Sequence, residues 1–325
     1  MRRVFSGIQP SGEAHLGNYA GAIKNWVRLQ DEYECIYCVV DFHAVTESFD
    51  PATLSQRTLD MAITLLAAGI DPDRALVFVQ SAVPEHAELT WYFNCVAPLG
   101  ELERMTQFKD KAARNRKNLN VGLLDYPVLQ AADILLYKAE LVPVGEDQVQ
   151  HLEFSREVAR RFNNRYGDIF PEPQPLLTPG KRILGLDGQA KMSKSLGNTV
   201  SVLAGPEETW EKLRPAVTDE RRVRRSDPGE PEDCNIFTIH KAFTPAEKRE
   251  ELASGCRGAT IGCIDCKKVL AENIERELAP LRERYRELAA DPGRVREILA
   301  DGAGRCRAIA REVMGEVREA MGFLA

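Results

Sequence analysis

The stretch Phe5-Ser-Gly-Ile-Gln-Pro-Ser-Gly-Glu-Ala-His-Leu-Gly-Asn18 decides how this chain is read. Val4 to Gln9 forms a short apolar strand that runs into a Pro-Ser-Gly turn, and Gly17 to Gln30 has the pattern of a crossover helix. Glycines at a strand-to-helix junction let the backbone approach a nucleotide closely, while the first helical turn offers unpaired N–H groups and the positive dipole end. His15 and Asn18 stand three apart, so both can face one phosphate. Outward from this stretch, Cys35-Ile-Tyr-Cys-Val-Val-Asp-Phe-His-Ala-Val45 reads as a second buried strand ending in polar residues. Ala75-Leu-Val-Phe-Val-Gln80 is a third, and Leu141-Val-Pro-Val-Gly-Glu-Asp-Gln148 another that ends in glycine and acids. Between them Pro51 opens a helix that Gly69 stops. Alternating strands and helices predict an α/β fold, a Rossmann-like parallel sheet with ligands beyond the carboxyl ends of its strands. His43 sits at such an end and is a ligand candidate.

The composition sets bounds. A chain of 325 residues can hold one large α/β domain plus a smaller one. Its net charge of −6 excludes a generally basic, nucleic-acid-coating surface, so any RNA contact must be local. No apolar run approaches the ~18 residues of a membrane span. Met1-Arg-Arg-Val-Phe enters a strand without a signal-peptide core, and a cytosolic location is expected. Eight cysteines in such a compartment argue against a disulfide framework. Cys35 and Cys38 lie three apart on a strand and so point to opposite faces, which favours plain packing.

A second chemically loaded stretch is Lys191-Met192-Ser193-Lys194-Ser195, flanked by Gly185, Gly188 and Gly197. Two ammonium groups with small hydroxyls beside them predict a mobile, cationic, hydrogen-bonding loop, suited to gripping a polyphosphate whose position changes during reaction. Asp133 presents a carboxylate inside the otherwise apolar run Tyr126-Pro-Val-Leu-Gln-Ala-Ala-Asp-Ile-Leu-Leu-Tyr137. Burying it without a partner is costly, so it is expected to await a donor.

His-Leu-Gly-Asn at residues 15–18, paired with Lys-Met-Ser-Lys-Ser at 191–195, resembles the two signature motifs of class I aminoacyl-tRNA synthetases. Gly7-Ile-Gln-Pro-Ser-Gly12, Gly145-Glu-Asp-Gln-Val-Gln-His151 and Gln130-Ala-Ala-Asp-Ile-Leu-Leu-Tyr137 make the likeness closest to the tryptophanyl-tRNA synthetases, most strongly between residues 4 and 200. The resemblance implies that ATP meets Gln9, Pro10, Ser11, Gly17, Asn18, Gly145, Glu146, Asp147, Ile183 and the loop from Lys191 to Ser195. It implies that L-tryptophan is lined by Phe5, His43, Tyr126, Gln130, Asp133 and Gln148, with Asp133 accepting the indole N–H. Gln130 departs from the methionine common at this place. His15, Asn18, Lys191, Lys194 and Ser195 would carry the catalysis with Mg²⁺, and a homodimer is implied, with Glu88-Leu-Thr-Trp-Tyr-Phe-Asn-Cys-Val96 near its interface.

Beyond residue 200 the composition shifts. Arg221-Arg-Val-Arg-Arg225 leads into a polar connector, Pro228-Gly-Glu-Pro-Glu-Asp233, and the pattern from Ile236 onward is helical. Leu270, Ile274, Leu278 and Leu281 recur at helical spacing, as do Ile309, Val313 and Val317. The expected division is a catalytic domain over 1–200 and a helical, anticodon-binding domain over 201–325 that meets tRNA(Trp), its last helices able to pack back on the first domain. The basic run Lys109-Asp-Lys-Ala-Ala-Arg-Asn-Arg-Lys117 is either a solvated helix face or an RNA contact. Cys234, Cys256, Cys263 and Cys266, separated by 21, 6 and 2 residues, suit zinc or an iron–sulfur cluster. Resemblance to synthetases with a cluster in this region ranks 4Fe-4S first, zinc second and four unrelated core thiols after it. Two other functions compete: activation of tyrosine on the same architecture, and a catalytically inactive RNA-binding paralogue.

Overall fold

A computed structural model describes residues 1–106, 108–109, 119–145, 148–177 and 183–324, without the side chain of Ser195. Five strands form one wholly parallel sheet: β1 (Arg3–Ile8), β2 (Glu34–Val39), β3 (Ala75–Val79), β4 (Leu141–Val144) and β5 (Gln174–Leu177), in the order β3-β2-β1-β4-β5. Val4 lies opposite Cys35 on one side and Leu141 on the other. Parallel strands of this kind are buried on both faces. Val4, Tyr37, Val39 and Val77 face one core, and Phe5, Ile36, Cys38 and Phe78 face the other. Cys35 and Cys38 fall into different cores, as their spacing predicts.

The helix after β1, here α1, is continuous but not uniform: Leu16–Asn18 is α-helical, Tyr19–Ile23 is π-helical and Lys24–Leu29 is α-helical. The second strand ends six residues before Val45, because Asp41–Ala44 turns into a short helix whose Asp41 accepts the N–H of Ser81 at 2.9 Å. Helix α2 (Pro51–Ala68) starts on Asp50, which accepts the Ala52 N–H at 3.0 Å, and stops at Gly69 with φ +112°. Then come α3 (Glu85–Asn94), α4 (Val121–Leu135) and α5 (Val149–Tyr166), which build the core on the Phe5 side.

Past residue 200 the elements are α6 (Pro206–Leu213), α7 (Asn235–Phe243), α8 (Ala246–Arg257), α9 (Cys263–Ala290) and α10 (Pro292–Met321). These helices do not form an isolated bundle. Helix α9 packs on α2 and α6, and the buried Lys267 donates to the carbonyls of Arg214 (2.7 Å) and Ala216 (2.6 Å) at the end of α6. Helix α10 starts in one core with Val295 and finishes in the other with Cys306, Val313 and Val317. It crosses the outer edge of β3 at Gly302, where a Cβ would overlap the Val77 carbonyl.

Candidate active site

The strand order reverses between β1 and β4, which opens a crevice beyond their carboxyl ends. Gln9, half-buried, the buried Pro10 and the exposed Ser11 lead from β1 into that crevice. His15 and Asn18 cap α1 reciprocally: the Asn18 N–H donates to His15 Nδ1 at 3.2 Å, and the His15 N–H to Asn18 Oδ1 at 3.1 Å. The acceptor role of Nδ1 assigns the proton of the neutral ring to Nε2. Burial, then Lys194 and Lys191, push the His15 pKa down to about 4. His15 Nε2–H and the Asn18 amide are neutral donors, and neither is used in the reciprocal cap.

The Lys191 loop closes over this turn. Gly12, at φ +115°, lies beneath the Lys194 ammonium, and a Cβ there would stand 2.5 Å from Nζ. Partial burial lowers the Lys194 pKa, with Glu13 opposing and Arg57 assisting. Met192 is buried, its sulfur against Gly17, while the backbone of Ala14–Leu16 pairs with Val200 and Val202 (Leu16 N–H to Val200 O, 3.0 Å). Asn198 organises the loop from within. Its Oδ1 accepts the Ser193 N–H at 2.8 Å, and its Nδ2 donates to Asp187 (2.8 Å) and to the Lys191 carbonyl (3.2 Å). Gly185 makes room for it, since a Cβ there would overlap the Asn198 amide. Asn235 in turn donates to the Gly185 carbonyl at 2.7 Å. Ile183 is buried beside this hairpin, Lys191 is exposed, and the Ser195 backbone lies in the single turn Lys194–Leu196. Gly145 is exposed at the end of β4; Glu146 and Asp147 fall outside the described residues, as do residues 110–117 of the basic run.

On the other side of β1 the amino-acid candidates gather around Asp133. The expectation of a carboxylate awaiting a donor is corrected: Asp133 already accepts from three. Gln80 Nε2 (2.6 Å) and His86 Nδ1 (2.7 Å) meet Oδ1, and His43 Nε2 (2.7 Å) meets Oδ2. Burial alone would raise its pKa, but His43 and His86 together hold it far below the usual carboxylate range. Tyr126 stands edge-on to His43 with centroids 6.5 Å apart, and its hydroxyl lies 3.4 Å from His151 Nε2. Gln130 is tied to the other nitrogen of that ring, Nδ1, at 3.1 Å. Phe5 stacks on Tyr137 at 5.5 Å, and Gln148 is half-buried at the start of α5. The structure therefore joins His43, Tyr126, Gln130 and Asp133 in one polar wall. Gln80, His86, Tyr137, His151 and Asn198 were missed as participants.

The family pattern described as "tRNA synthetases class I (W and Y)" matches residues 1–279. The chain belongs to that family. It is 55% identical to the tryptophan–tRNA ligase of Deinococcus radiodurans, covering all of this chain and 99% of the relative. It is 46% identical to that of Thermotoga maritima, with 99% of each covered. The tryptophanyl-tRNA synthetase of Campylobacter jejuni, solved with ADP and tryptophan, superposes with a TM-score of 0.86 at 38% identity, over 99% of this chain and 100% of that one.

The four late cysteines lie in one region of this class I synthetase. Cys234 precedes α7, Cys256 ends α8, and Cys263 and Cys266 open α9. Burial raises the thiols of Cys234, Cys256 and Cys266; that of Cys266 is pushed up to about 12, with Cys234, Cys256 and Cys263 all contributing. Arg222 Nη1 lies 3.6 Å from Cys256 Sγ and His240 Nε2 3.3 Å from Cys266 Sγ. Among the described residues, however, no three His, Cys, Asp or Glu side chains stand in a metal-coordinating arrangement, which the spacing had led us to expect.

Proposed function

We propose that His15, Asn18, Lys191 and Lys194 are the groups by which this chain performs the reaction of its family. It is an aminoacyl-tRNA ligase that activates L-tryptophan with ATP and transfers the tryptophanyl group to tRNA(Trp). The tryptophan carboxylate is already an anion at neutral pH, so its oxygen attacks the α-phosphorus without a general base. The bond from that phosphorus to the bridging oxygen breaks, and pyrophosphate leaves with the electron pair. Catalysis is then positioning plus stabilisation of charge on the departing phosphates. His15 Nε2–H and the Asn18 amide steady the phosphates, Lys191 and Lys194 follow the leaving group, and Mg²⁺ accompanies the phosphates. The 2′-hydroxyl of the terminal tRNA ribose then attacks the acyl carbon, the bond from that carbon to the phosphate oxygen breaks, and AMP departs with its phosphate taking up the hydroxyl proton. The reading is carried by the seating of the Lys194 ammonium over Gly12, which puts the cationic loop and the phosphate-facing turn at one place.

Asp133 and His43 are assigned to the indole ring, with Phe5, Tyr126, Gln130 and Gln148 around the amino acid, and Ser195, Gly145, Glu146 and Asp147 to ATP. Residues 1–200 would hold both small substrates, and 201–325 the anticodon contacts, Arg224 and Arg225 being exposed near the cysteines. A homodimer is supported by Trp91, 68% exposed on α3. A cytosolic location is proposed on the likeness to bacterial tryptophan–tRNA ligases; among the described residues no helix is long and apolar enough to cross a membrane. The four cysteines are assigned to a 4Fe-4S cluster, or failing that to zinc. Their mutual influence and the N–H donors of Arg222 and His240 suit a sulfur-rich group. Iron, visible absorption and zinc measured on anaerobically purified protein separate cluster, zinc and simple packed thiols.

The test of function is amino-acid-dependent ATP–pyrophosphate exchange. Exchange with tryptophan and not tyrosine is expected. No exchange with either, from folded protein, would favour the inactive RNA-binding paralogue.

A further inference from the structure

The acceptor capacity of Asp133 is unevenly spent. An ionised carboxylate offers about four lone-pair sites, two on each oxygen. Among the described residues, Oδ1 has both filled, by Gln80 Nε2–H and His86 Nδ1–H, whereas Oδ2 has one filled, by His43. The filling of Oδ1 is itself enforced from behind. Gln80 Oε1 accepts the Phe42 N–H at 3.0 Å, which turns the amide nitrogen toward Asp133. His86 Nε2 lies 2.7 Å from the Tyr137 hydroxyl; a tyrosine kept neutral by burial donates there, so the ring proton stays on Nδ1. Phe78 stacks on the His86 ring at 5.8 Å, and Phe5 on Tyr137 at 5.5 Å. Gln80, His86 and Tyr137 are all fully buried, so none of the three touches solvent in the present geometry.

We propose that Gln80 and His86, the latter backed by Tyr137, are specificity-determining positioning residues: they occupy Oδ1 and leave one vacant acceptor site on Oδ2, aimed at the ring N–H of the substrate. This rests on the assignment of Asp133 to the indole. With Oδ1 clamped, the carboxylate cannot rotate to follow a misplaced donor. A substrate ring lacking N–H leaves the vacant lone pair desolvated and unpaired, which is the arrangement that rejects such rings most sharply. His43 differs from the other two because it shares Oδ2 with the substrate.

The experiment compares kcat/KM in pyrophosphate exchange for tryptophan and for benzothienylalanine, in which sulfur replaces the ring N–H. The wild type is expected to favour tryptophan by about a hundredfold or more. His86→Leu and Gln80→Leu are expected to lower that ratio about tenfold, whereas His86→Asn, which keeps a donor toward Oδ1, retains it within about threefold. A general loss of structure would depress both substrates together and leave the ratio unchanged. An unchanged ratio in folded His86→Leu and Gln80→Leu overturns the proposal. No discrimination in the wild type would instead overturn the assignment of Asp133 to the indole. If the leucine variants do not fold, Tyr137→Phe decides, since it removes one oxygen at nearly constant volume: a lowered ratio supports the proposal, and an unchanged one overturns it.

Discussion

Replacing Asn198 by alanine should slow adenylation without touching either substrate directly. The side chain is buried and its amide makes three hydrogen bonds, two of them to the backbone of the Lys191 loop at Ser193 N–H and Lys191 O. Each neutral bond of this kind contributes about 0.5–1.5 kcal/mol net, so the loop loses about 1–3 kcal/mol of ordering. The third, to Asp187 at the protein surface, fixes geometry and contributes little energy. If the loop must be ordered where charge develops on the leaving pyrophosphate, the rate constant falls about 5- to 150-fold. Single-turnover formation of the adenylate, followed by quench-flow, measures this directly. The tryptophan KM should stay within about threefold, because the polar wall around Asp133 lies on other elements. Asn198→Asp keeps the acceptor for Ser193 but sets a carboxylate oxygen against Asp187 and the Lys191 carbonyl, and should slow the step at least as much as alanine. An alanine variant that folds normally and forms adenylate at the wild-type rate would refute the view that Asn198 holds the loop in its working shape.

Lys194→Ala should lower the adenylation rate constant while leaving tryptophan affinity nearly unchanged; an unchanged rate removes Lys194 from the chemistry. His15, with a pKa near 4 against 6.5 unperturbed, is neutral in the folded state. Its contribution to stability is therefore full above about pH 6.5 and is lost as pH falls through about 4. NMR titration of its ring should give a midpoint near 4 that moves upward in Lys194→Ala; a wild-type midpoint near 6.5 would show that neither burial nor the lysines act on it. Gly302→Ala should destabilise the fold by about 1–3 kcal/mol through overlap with Val77, read as a lower urea midpoint; a wild-type midpoint would mean that α10 shifts freely.

The fold was legible where the sequence signal is local. Strand, glycine turn and helix succeed one another within residues 4–30, and Asp50-Pro51 and Gly69 bound α2 where helix-capping chemistry says they should. The two motifs were legible because each carries its own residue pattern, but that Gly12 lies beneath the Lys194 ammonium was not read from either. The polar wall was only half legible. Asp133 was conspicuous as a buried acid, but its partners His86 and Gln80 lie 47 and 53 positions away and look like ordinary core or turn residues in their own neighbourhoods. Only the packing of β3 and α3 against α4 brings them together. Asn198 was passed over for the same reason, since the holes it fills are made by Gly185 and the loop backbone. The cysteine spacing was readable, but spacing does not fix the rotamers that would bring the thiols to one centre.

The crossing of α10 over β3 ties the timing of synthesis to the soundness of the sheet. Arg307 on α10 donates to the Ala82 carbonyl just beyond β3, a contact spanning 225 positions of chain. β3 is an edge strand of the sheet, and the element that crosses its outer rim is the last helix of the chain to be made. Such a rim invites strand addition from another chain. If the sheet assembles before α10 is made, it does so with that rim uncovered.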